Sequence, residues 1–411
     1  MVWLPHWPRV GEVVIKNGLI RISKMLDALG NPERVMPPVI HFAGTNGKGS
    51  TIAFVQAILE SAGLKVHVYT SPHLLRYNER IRLCGQEIDD GDLTSLLEEC
   101  RIISEKKKID VSFFEGTTAA AFLAFARKKA DVVLLETGLG GRLDATNVIS
   151  NPLLSVITPI SLDHMAILGN DVRKIAYEKA CIIKSGVPCV VSMQIPDVHN
   201  VIEQYAETQN SSLFRYEYDF GCKIKKDGFI YQSDNVELNI GMPALPGYHQ
   251  FINASTAIAA VNCSSGVKIT DEHIRNGIEK ASWKGRLQLV ERGSLVKDMP
   301  RDWQLWIDGA HNEGGAFALS SWLKDQDSSY VNIMVFGMTK NRDIKKFISY
   351  FQGNLDCIIG VPIYSEPMSY SANAIARVVQ EMGVKVFEKE SVKESIEFLV
   401  KKYTKTKIRI L

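Results

Sequence analysis

Short runs of apolar, largely β-branched residues alternate with helical stretches through residues 39–193 of the chain. Apolar runs of this kind predict buried strands, and strands that alternate with helices predict a parallel sheet covered by helices on both faces. A helix that starts near residue 171 belongs to the same alternation. The predicted strands are residues 39–45, 65–71, 131–137, 154–160 and 187–193.

The pattern changes to polar–apolar alternation from about residue 211 to 242, with breaks at Gly221 and at Lys226-Asp227-Gly228. Such alternation predicts an antiparallel meander, which we expect at an edge of the parallel sheet. Two helices are predicted to follow, at about residues 249–265 and 271–281.

A second alternation of strands and helices begins near Trp303 and predicts a second, smaller α/β domain. A chain of 411 residues is longer than the roughly 250–300 residues at which one hydrophobic core stops growing, which agrees with two domains. The junction is expected at about residues 287–302. The predicted strands are 304–308, 331–336, 357–361 and 385–388, and the helices lie near 314–325, 342–352, 371–382 and 391–403.

Composition excludes several classes of protein. The chain has 48 Lys and Arg against 46 Asp and Glu, so its net charge of +2 does not indicate a nucleic-acid partner. No apolar run approaches the roughly 20 residues that span a bilayer, and the start of the chain lacks the plan of a signal peptide. The seven cysteines are scattered without a Cys-x-x-Cys pair, so neither a disulfide framework nor a zinc site is indicated. We expect a cytoplasmic protein.

A glycine-rich loop, Gly44-Thr45-Asn46-Gly47-Lys48-Gly49-Ser50, follows the first predicted strand and precedes a helix. Backbone N–H groups, the helix N-terminus and the Lys48 ammonium would together bind the phosphates of a nucleotide. The loop departs from the standard phosphate-loop pattern, because Phe42 takes the first glycine position and Gly49 separates Lys48 from Ser50. A glycine-rich turn before an ordinary helix is the alternative.

Polar residues follow three further strands: Ser71-Pro72-His73, Glu136-Thr137-Gly138 and Asp163-His164. Ligands of an open parallel sheet bind at the carboxyl ends of its strands, so these groups should lie near the phosphates. A hydroxyl, a carboxylate and an imidazole there could hold Mg²⁺, which takes few protein ligands. Each residue alone is more often a structural one, but together they favour a metal site.

Lys179 falls on the apolar stripe of the helix predicted over residues 171–185, together with Val172, Ile175, Ala176 and Ile183. Burial lowers the pKa of a lysine and leaves more neutral amine, which can take up CO₂ as a carbamate. The alternative is that the stem of Lys179 packs while its ammonium reaches solvent. Periodicity does not separate the two.

A set of motifs extends through both predicted domains: Gly44–Ser50, Ser71–Leu74, Phe114-Glu115 with Thr118, Gly138–Asn147, Asp163-His164, Glu178–Ala180, His249-Gln250 with Asn253-Ala254, Gly285-Arg286 and Asp308–Asn312. This set resembles the folylpolyglutamate synthase and dihydrofolate synthase family of the Mur ligase superfamily. The similarity runs from about residue 18 to the C-terminus.

The resemblance implies an ATP-binding Mur-ligase-type central domain over residues 1–287 and a glutamate-ligase domain with a Rossmann-like sheet over residues 288–411, with the active site in the cleft between them. It also implies the roles of individual residues. Ser71, Glu136 and His164 would bind the metal; Gly44–Ser50, Asn253, Arg286 and Asp308 would bind ATP; Phe114 and Asp144 would line the pterin side; and Lys48, His164, His311 and carbamylated Lys179 would be catalytic.

The activity implied is an ATP-dependent ligase that adds L-glutamate to dihydropteroate, to folates as poly-γ-glutamate, or to both, through an acyl phosphate. Its cofactors would be ATP and Mg²⁺, its partners small-molecule substrates rather than nucleic acid or membrane, and its state a monomer. A cell-wall peptide ligase on the same scaffold is an alternative, against which Phe114-Glu115 and Gly141–Asp144 count. A nucleotide-binding regulatory protein without turnover is another.

The chain departs from the family pattern at four places. Cys181 replaces a usual glycine, and Glu313 a usual proline. The loop at residues 337–343 has Arg342 where the family has lysine, which leaves the role of this loop open. Finally, members of the family usually continue beyond Leu411 through a further strand, so we expect the last element to be cut short or absent.

Overall fold

The computed structural model describes residues 4–8, 18–234, 236–264, 268–403 and 406–411. The chain divides into two compact units, one formed by residues 1–244 and 250–283 and the other by residues 245–249 and 284–411. The sequence placed the domain boundary after residue 287, and the main part of the second unit begins at residue 284.

An eight-stranded sheet forms the centre of the first unit. Its strands are β1 (Val39–Ala43), β2 (Val66–Tyr69), β3 (Ile81–Leu83), β4 (Gln86–Glu87), β5 (Val132–Glu136), β6 (Leu154–Ile157), β7 (Cys189–Val191) and β8 (Leu213–Arg215), and their order across the sheet is β4-β3-β2-β5-β1-β6-β7-β8. β1 runs parallel to β5 on one side and to β6 on the other. The predicted mostly parallel sheet is confirmed, and the glycine-rich loop leaves its central strand.

The antiparallel edge of this sheet is made by β3 and β4, which follow β2, and not by the meander. The predicted meander exists as a separate antiparallel sheet of β9 (Phe220–Lys225), β10 (Gly228–Ser233) and β11 (Val236–Gly241). Its position was predicted wrongly because β8 joins β7 in parallel and a turn then leads the chain away from the sheet. In that turn the N–H of Asp219 donates to the carbonyl of Arg215 at 2.8 Å.

Helices cover both faces of the large sheet, as predicted from the alternation. Those of the first unit are α1 (Gly18–Ala28), α2 (Lys48–Ser61), α3 (Asp90–Lys107), α4 (Phe113–Arg127), α5 (Met165–Leu168), α6 (Val172–Ala180), α7 (Pro196–Thr208), α8 (Tyr248–Cys263), whose first two residues belong to the second unit, and α9 (Asp271–Lys280). Short 3₁₀ helices lie at Pro32–Arg34, Tyr77–Arg80 and Ala145–Val148. The last residue of the helix predicted at 249–265 lies outside the described residues.

Hydrophobic clusters stabilise the sheet of the first unit, and two of them join its helices to its strands. One joins α1, α3 and α4 to β2 and β5 and includes Ile22, Leu97 and Phe122. The other joins α6 and α7 to β6 and β7 and includes Ile175 and Ile202. Both clusters are buried because these helices present apolar residues at helical spacing to a strand surface that is apolar on both faces.

The second unit is the smaller α/β domain that the sequence predicted. Its strands are β12 (Gln288–Leu289), β13 (Gln304–Ile307), β14 (Val331–Phe336), β15 (Cys357–Gly360), β16 (Val386–Glu388) and β17 (Ile408–Ile410), in the order β12-β13-β17-β14-β15-β16, with only β12 antiparallel. Its helices are α10 (Glu313–Lys324), α11 (Ile344–Ser349), α12 (Ala372–Glu381) and α13 (Val392–Lys402). The sequence analysis missed β17, which pairs with β13 and β14.

Over the part of the chain that the structure describes, we find no helix with the length and apolar character that crossing a membrane requires.

Candidate active site

The glycine-rich loop links the end of β1 to the start of α2. Gly47 is the N-cap of α2, with φ of 84°. The N–H groups of Thr45 and Asn46 both donate to the carbonyl of Pro159, at 3.0 and 3.1 Å, and their side chains bond to Ser161. The first part of the loop is therefore fixed by the chain that follows β6. The N–H groups of the first turn of α2 have no intrahelical acceptor and can meet an anion.

Three glycines of the loop stand where a side chain would collide with a neighbour. A Cβ on Gly44 would overlap the Thr158 hydroxyl, and one on Gly47 would lie 2.6 Å from Oδ1 of Asn253. A Cβ on Gly49 would lie 2.8 Å from the indole nitrogen of Trp283. The extra glycine between Lys48 and Ser50, which departs from the standard pattern, is thus required by the indole that covers it.

Two lysines meet at the carbonyl oxygen of Gly44. Lys48 Nζ donates to it at 2.9 Å and Lys179 Nζ at 2.8 Å. Glu136, at the end of β5, places Oε1 3.8 Å from Lys48 Nζ, and its Oε2 accepts the backbone N–H of Ser71 at 2.8 Å. Lys48, Glu136 and Lys179, which the sequence placed in one site, therefore lie together at the carboxyl ends of neighbouring strands.

Lys179 is only 6% exposed and its ammonium points into the site, so the alternative in which it reaches solvent does not hold. Burial and, to a smaller extent, the positive charge of Lys48 lower the pKa of Lys179 to about 7, although the carboxylates of Asp163, Asp144 and Glu136 oppose this shift. A large fraction of neutral amine near neutral pH is what carbamate formation requires.

Asp163 and His164 follow β6. Asp163 is buried, whereas the side chain of His164 is 42% exposed and lies with Nε2 3.9 Å from Asp163 Oδ2. His164 has φ of 49° and is the N-cap of α5. Among the described residues, no three His, Cys, Asp or Glu side chains group together as a ready metal site.

Phe114 and Asp144 both contact the loop that follows β5. A Cβ on Gly138 would overlap the ring of Phe114, so this ring lies directly against the loop. Asp144 is buried and accepts four hydrogen bonds: its Oδ2 from the N–H groups of Gly138 and Leu139, and its Oδ1 from the N–H and hydroxyl of Thr146. Burial raises the pKa of Asp144, and these hydrogen bonds oppose the rise. A direct contact of Asp144 with a ligand stays a prediction.

Asn253 lies beside the phosphate loop, as the close approach of its Oδ1 to Gly47 shows. Its amide donates to Gln250 at 3.0 Å, and Gln250 donates to the hydroxyl of Ser50 at 3.3 Å. Gln250 and Asn253 of α8 thereby lie against the end and the middle of the loop.

The second unit carries its own group of polar residues. Asp308, after β13, accepts the N–H groups of Leu287 at 2.8 Å and Ala310 at 2.7 Å. A Cβ on Gly309 would lie 2.7 Å from the Arg286 guanidinium, so Arg286 lies against the same turn. Burial raises the pKa of Asp308, which the charge of Arg286 opposes. His311 is exposed, and its Nδ1 donates to the Gly309 carbonyl at 2.7 Å. Arg286 thus lies against the turn that carries Asp308 and His311.

Two departures from the family pattern are accommodated locally. Cys181 has φ of −63°, which any residue adopts, so no glycine is needed there. Glu313 begins α10 and lies 3.6 Å from the ammonium of Lys346. Neither substitution removes a residue from the groups described above.

Comparison with known protein families decides the classification. Residues 42–261 match the model of the Mur ligase middle domain, and residues 285–411 match the Mur ligase glutamate ligase domain. The dihydrofolate synthase/folylpolyglutamate synthase of Bacillus subtilis is 37% identical over 349 residues, which are 81% of this chain and 78% of that protein. The chain belongs to the folylpolyglutamate synthase and dihydrofolate synthase family. The predicted resemblance is confirmed.

Solved structures of folylpolyglutamate synthases/dihydrofolate synthases share the whole fold. Escherichia coli FolC in complex with DHPP and ADP has a TM-score of 0.85 and 31% identity, covering 96% of this chain and 89% of that one. A bifunctional folylpolyglutamate synthase/dihydrofolate synthase with Mn, AMPPNP and L-glutamate bound has a TM-score of 0.84 and 32% identity, covering 96% and 90%. Two α/β domains of this kind are therefore a property of the family, which confirms the predicted fold class.

Sequence reasoning missed several residues that shape the site. Trp283 and Thr158 enclose the phosphate loop, and Arg21 makes a paired contact with the buried carboxylate of Glu115, at 2.9 and 2.6 Å, that ties α1 to α4. Glu115 was noted as part of a motif, but Arg21 gave no signal beyond its charge. Contacts between residues so distant in sequence leave no local pattern.

Proposed function

We propose that this chain is an ATP-dependent ligase that adds L-glutamate to dihydropteroate and to folates through an acyl phosphate. The observation that carries the proposal is the meeting of Lys48 and Lys179 at the Gly44 carbonyl, with Glu136 3.8 Å from Lys48. This cluster lies beside the N-terminus of α2, whose first N–H groups have no intrahelical acceptor. Such a combination suits a nucleoside triphosphate and its cation, and the family to which the chain belongs acts on glutamate and folates.

The chemistry has two steps. A carboxylate oxygen of the acceptor attacks the γ-phosphorus of ATP, so that an acyl phosphate forms and ADP leaves. The amine of glutamate then attacks the acyl carbon, an amide forms, and inorganic phosphate leaves with the former carboxylate oxygen. Lys48 and the N-terminus of α2 would stabilise the charge on the transferring phosphoryl group, which is the main contribution a protein makes to such a step.

We propose Glu136, Ser71 and His164 as the residues that would hold a magnesium ion. Glu136 suits this role because it is a buried carboxylate, 4% exposed, at the strand ends nearest the phosphate loop. The ion would neutralise phosphate charge when bound. The contact observed for Ser71 comes from its backbone N–H, which orients Glu136, and its hydroxyl is the proposed ligand.

We also propose that Lys179 reacts with CO₂ to give a carbamate. The ammonium first loses a proton; the neutral amine then forms a bond to the carbon of CO₂ and loses a second proton, so that a cation beside Lys48 becomes an anion. Support comes from the pKa of about 7 and from the position of Nζ, 2.8 Å from the Gly44 carbonyl that Lys48 also contacts. The change would replace repulsion between the two lysines by attraction.

The remaining predicted residues receive roles by their positions. Asn253, beside Gly47, is proposed to contact ATP, as are Arg286 and Asp308 on the turn of the second unit. His311, exposed on that turn, is proposed as a catalytic residue. Phe114 is proposed to face the pterin, because its ring lies against Gly138 in the loop after β5.

All seven cysteines of the chain are free, which is typical of proteins in a reducing compartment. We propose that the enzyme works in the cytoplasm. We also propose that it is a monomer. Sedimentation of the purified chain at working concentrations would measure the second point, and a stable dimer would contradict it.

Measurement of ADP release tests the function. The purified chain is given ATP, magnesium and one of three pairs: dihydropteroate with glutamate, tetrahydrofolate with glutamate, or a muramyl peptide with its amino acid. We expect turnover with the first two pairs that requires glutamate, and a product heavier by one glutamyl residue. Turnover only with the muramyl peptide would indicate a cell-wall ligase. ATP binding without a glutamate-dependent product would indicate a regulatory protein.

A further inference from the structure

A buried histidine, His41, lies on β1 three residues before the phosphate loop and is 0% exposed. Its Nε2 lies 2.9 Å from the hydroxyl oxygen of Thr146. That hydroxyl in turn donates to Oδ1 of Asp144 at 2.6 Å. No predicted role involved His41 or Thr146, although a histidine inside an otherwise apolar strand is unusual.

The direction of this hydrogen-bond chain is fixed. The Thr146 hydroxyl has one proton, which it gives to Asp144, so in the contact with His41 it must accept. His41 therefore carries its proton on Nε2. Its Nδ1 is buried and has no hydrogen-bond partner among the described residues. Burial, with a smaller effect of the Lys184 charge, lowers the pKa of His41 to about 3, so the ring is neutral under working conditions.

The hydrogen-bond chain from His41 through Thr146 and Asp144 ends on the loop Gly138–Arg142, which follows Glu136. The other carboxylate oxygen of Asp144, Oδ2, accepts hydrogen bonds from the N–H groups of Gly138 and Leu139, at 2.9 and 2.8 Å. At its other end the loop lies on α6: the N–H of Arg142 donates to the Glu178 carbonyl at 2.7 Å, and a Cβ on Gly141 would lie 3.1 Å from the Cα of Lys179. One carboxylate thus fixes a loop that touches Phe114, Glu178 and Lys179.

We propose that His41 and Thr146, acting through Asp144, are positioning residues for the loop Gly138–Arg142. This loop lies against Phe114, which is proposed to face the pterin of the acceptor. The neutral imidazole donates to Thr146, whose hydroxyl is then oriented with its proton toward Asp144. Asp144 is held in the one orientation in which its second oxygen meets both loop N–H groups. The phosphate loop does not depend on this chain, because Pro159 and Ser161 hold it from the other side.

The expected change in the KM for dihydropteroate rests on the proposed function, whereas the expected fixation of the loop Gly138–Arg142 does not. Hydrogen–deuterium exchange of a peptide that covers Gly138–Arg142 reports the fixation of the loop without any substrate. Thr146→Val keeps the shape of the side chain and removes both hydrogen bonds of the hydroxyl, whereas Thr146→Ser keeps them. We expect exchange in this peptide to be faster in Thr146→Val than in wild type, and the serine variant to match wild type.

In the full-length enzyme, Thr146→Val should raise the KM for dihydropteroate roughly tenfold or more, because small displacements of positioning groups are costly. The KM for ATP should stay within about twofold, since the phosphate loop has other supports. Thr146→Ser should restore the KM for dihydropteroate. A merely structural role would instead change both constants together or neither.

Two substitutions of His41, by Gln and by Asn, provide a second, independent test. Gln places an amide N–H near the position of Nε2, whereas the amide of Asn ends near the position of Nδ1 and cannot reach Thr146. We therefore expect His41→Gln to keep slow loop exchange and a normal KM for dihydropteroate, and His41→Asn to lose both.

The outcomes separate two kinds of failure. Wild-type protein without glutamate-dependent turnover would contradict the proposed function, and the exchange data would still decide the positioning role. Equal exchange in wild type, Thr146→Val and His41→Asn would overturn the positioning role, whatever the activity.

Discussion

The ammonium groups of Lys48 and Lys179 share one acceptor, the carbonyl of Gly44, at 2.9 and 2.8 Å. Two like charges this close repel, and burial raises the cost, so at least one of them is driven toward a neutral or negative form. The pKa of about 7 identifies Lys179 as that group. The geometry therefore supports the different roles proposed for Lys48, as a phosphate-binding cation, and for Lys179, as the residue that forms a carbamate.

Replacing Lys179 by alanine should lower kcat by roughly a hundredfold or more, the range found when a charge-stabilising group of an active site is removed. Lys174→Ala on the same helix is the matched control, because Lys174 is exposed. It should retain wild-type turnover. Steady-state ADP release measures both. A Lys179→Ala enzyme with unimpaired kcat would remove this residue from the mechanism.

Carbamate formation predicts a specific dependence on pH and CO₂. The pKa of Lys179 is lowered from 10.5 to about 7, so the neutral amine that reacts with CO₂ becomes scarce as the pH falls below 7. At a fixed, limiting concentration of dissolved CO₂, activity should fall roughly fivefold or more between pH 7 and pH 6. Added bicarbonate should restore part of it. Profiles that are identical with and without CO₂ would contradict the carbamate.

The same shift has a consequence for stability. A lysine whose folded pKa lies below its unfolded pKa binds fewer protons when folded between about pH 7 and 10.5, so the free energy of unfolding rises with pH across that window. Below pH 7 both states bind the proton and the penalty of the buried charge is constant. Lys179→Met should therefore be more stable than wild type near pH 7, with the difference shrinking toward pH 10. Chemical denaturation at several pH values measures it, and a difference that does not vary with pH would contradict the shift.

The residues at the strand ends could be predicted from the sequence because each one directly follows an apolar run. Their contacts could not. The sequence did not indicate that Ser71 would use its backbone N–H toward Glu136, or that all four acceptor positions of Asp144 would be filled within its own loop. These contacts depend on how loops from separate strands meet, which a single sequence does not encode locally.

The start of α2 is shaped by a residue from the end of the first unit. Trp283 covers Gly49 so closely that an alanine Cβ would lie 2.8 to 3.0 Å from three indole atoms. The indole is rigid, so the helix would have to move, and with it the N–H groups proposed to bind phosphate. A glycine that looks like an irregularity in the motif is thus a packing requirement between two elements.

Gly49→Ala should raise the KM for ATP and lower the free energy of unfolding by about 1–3 kcal/mol, the usual cost of overpacking. Trp283→Leu in the same chain should relieve the collision and recover most of both losses. Gly221→Ala is the control, since a Cβ there meets no atom within 4 Å. Thermal denaturation and ATP titration of the two single variants and the double variant measure the coupling between Gly49 and Trp283. Additive effects of Gly49→Ala and Trp283→Leu would show that this contact does not matter.

Most strands and helices could be predicted because their apolar periodicity extends over several turns or residues. β3, β4, β12 and β17 were missed, since each has only two or three residues and at least one of them is polar, whereas the equally short β7 lies within a longer apolar run. β17 also carries Arg409, which is buried and donates to Gln304 at 3.0 Å and to Asn332 at 2.9 Å. An arginine at the centre of a sheet contradicts the apolar rule that finds buried strands.

The two units divide the predicted residues between them. The first unit holds the phosphate loop, Glu136, His164 and Lys179, and the second holds Asp308 and His311 on one turn with Arg286 against it. This division agrees with the two family models that match the chain, over residues 42–261 and 285–411. The whole chain, rather than either unit, is therefore the object on which ligase activity should be measured.

Nucleotide binding should stabilise the folded chain in a magnesium-dependent way. A non-hydrolysable ATP analogue at about a hundred times its Kd should add about 2.7 kcal/mol to the free energy of unfolding. With Glu136→Gln, which removes the carboxylate charge beside Lys48, the part that depends on magnesium should disappear. Melting curves with and without magnesium measure this, and an unchanged magnesium effect in the variant would contradict the proposed metal site.

The transfer of isotope from the acceptor tests the proposed chemistry most directly. Dihydropteroate with heavy oxygen in its carboxylate is incubated with the enzyme, ATP, magnesium and glutamate, and the inorganic phosphate is analysed by mass spectrometry. An acyl phosphate requires that one heavy oxygen leaves with the phosphate while the other stays in the amide. Phosphate without heavy oxygen, formed alongside the glutamylated product, would contradict the account.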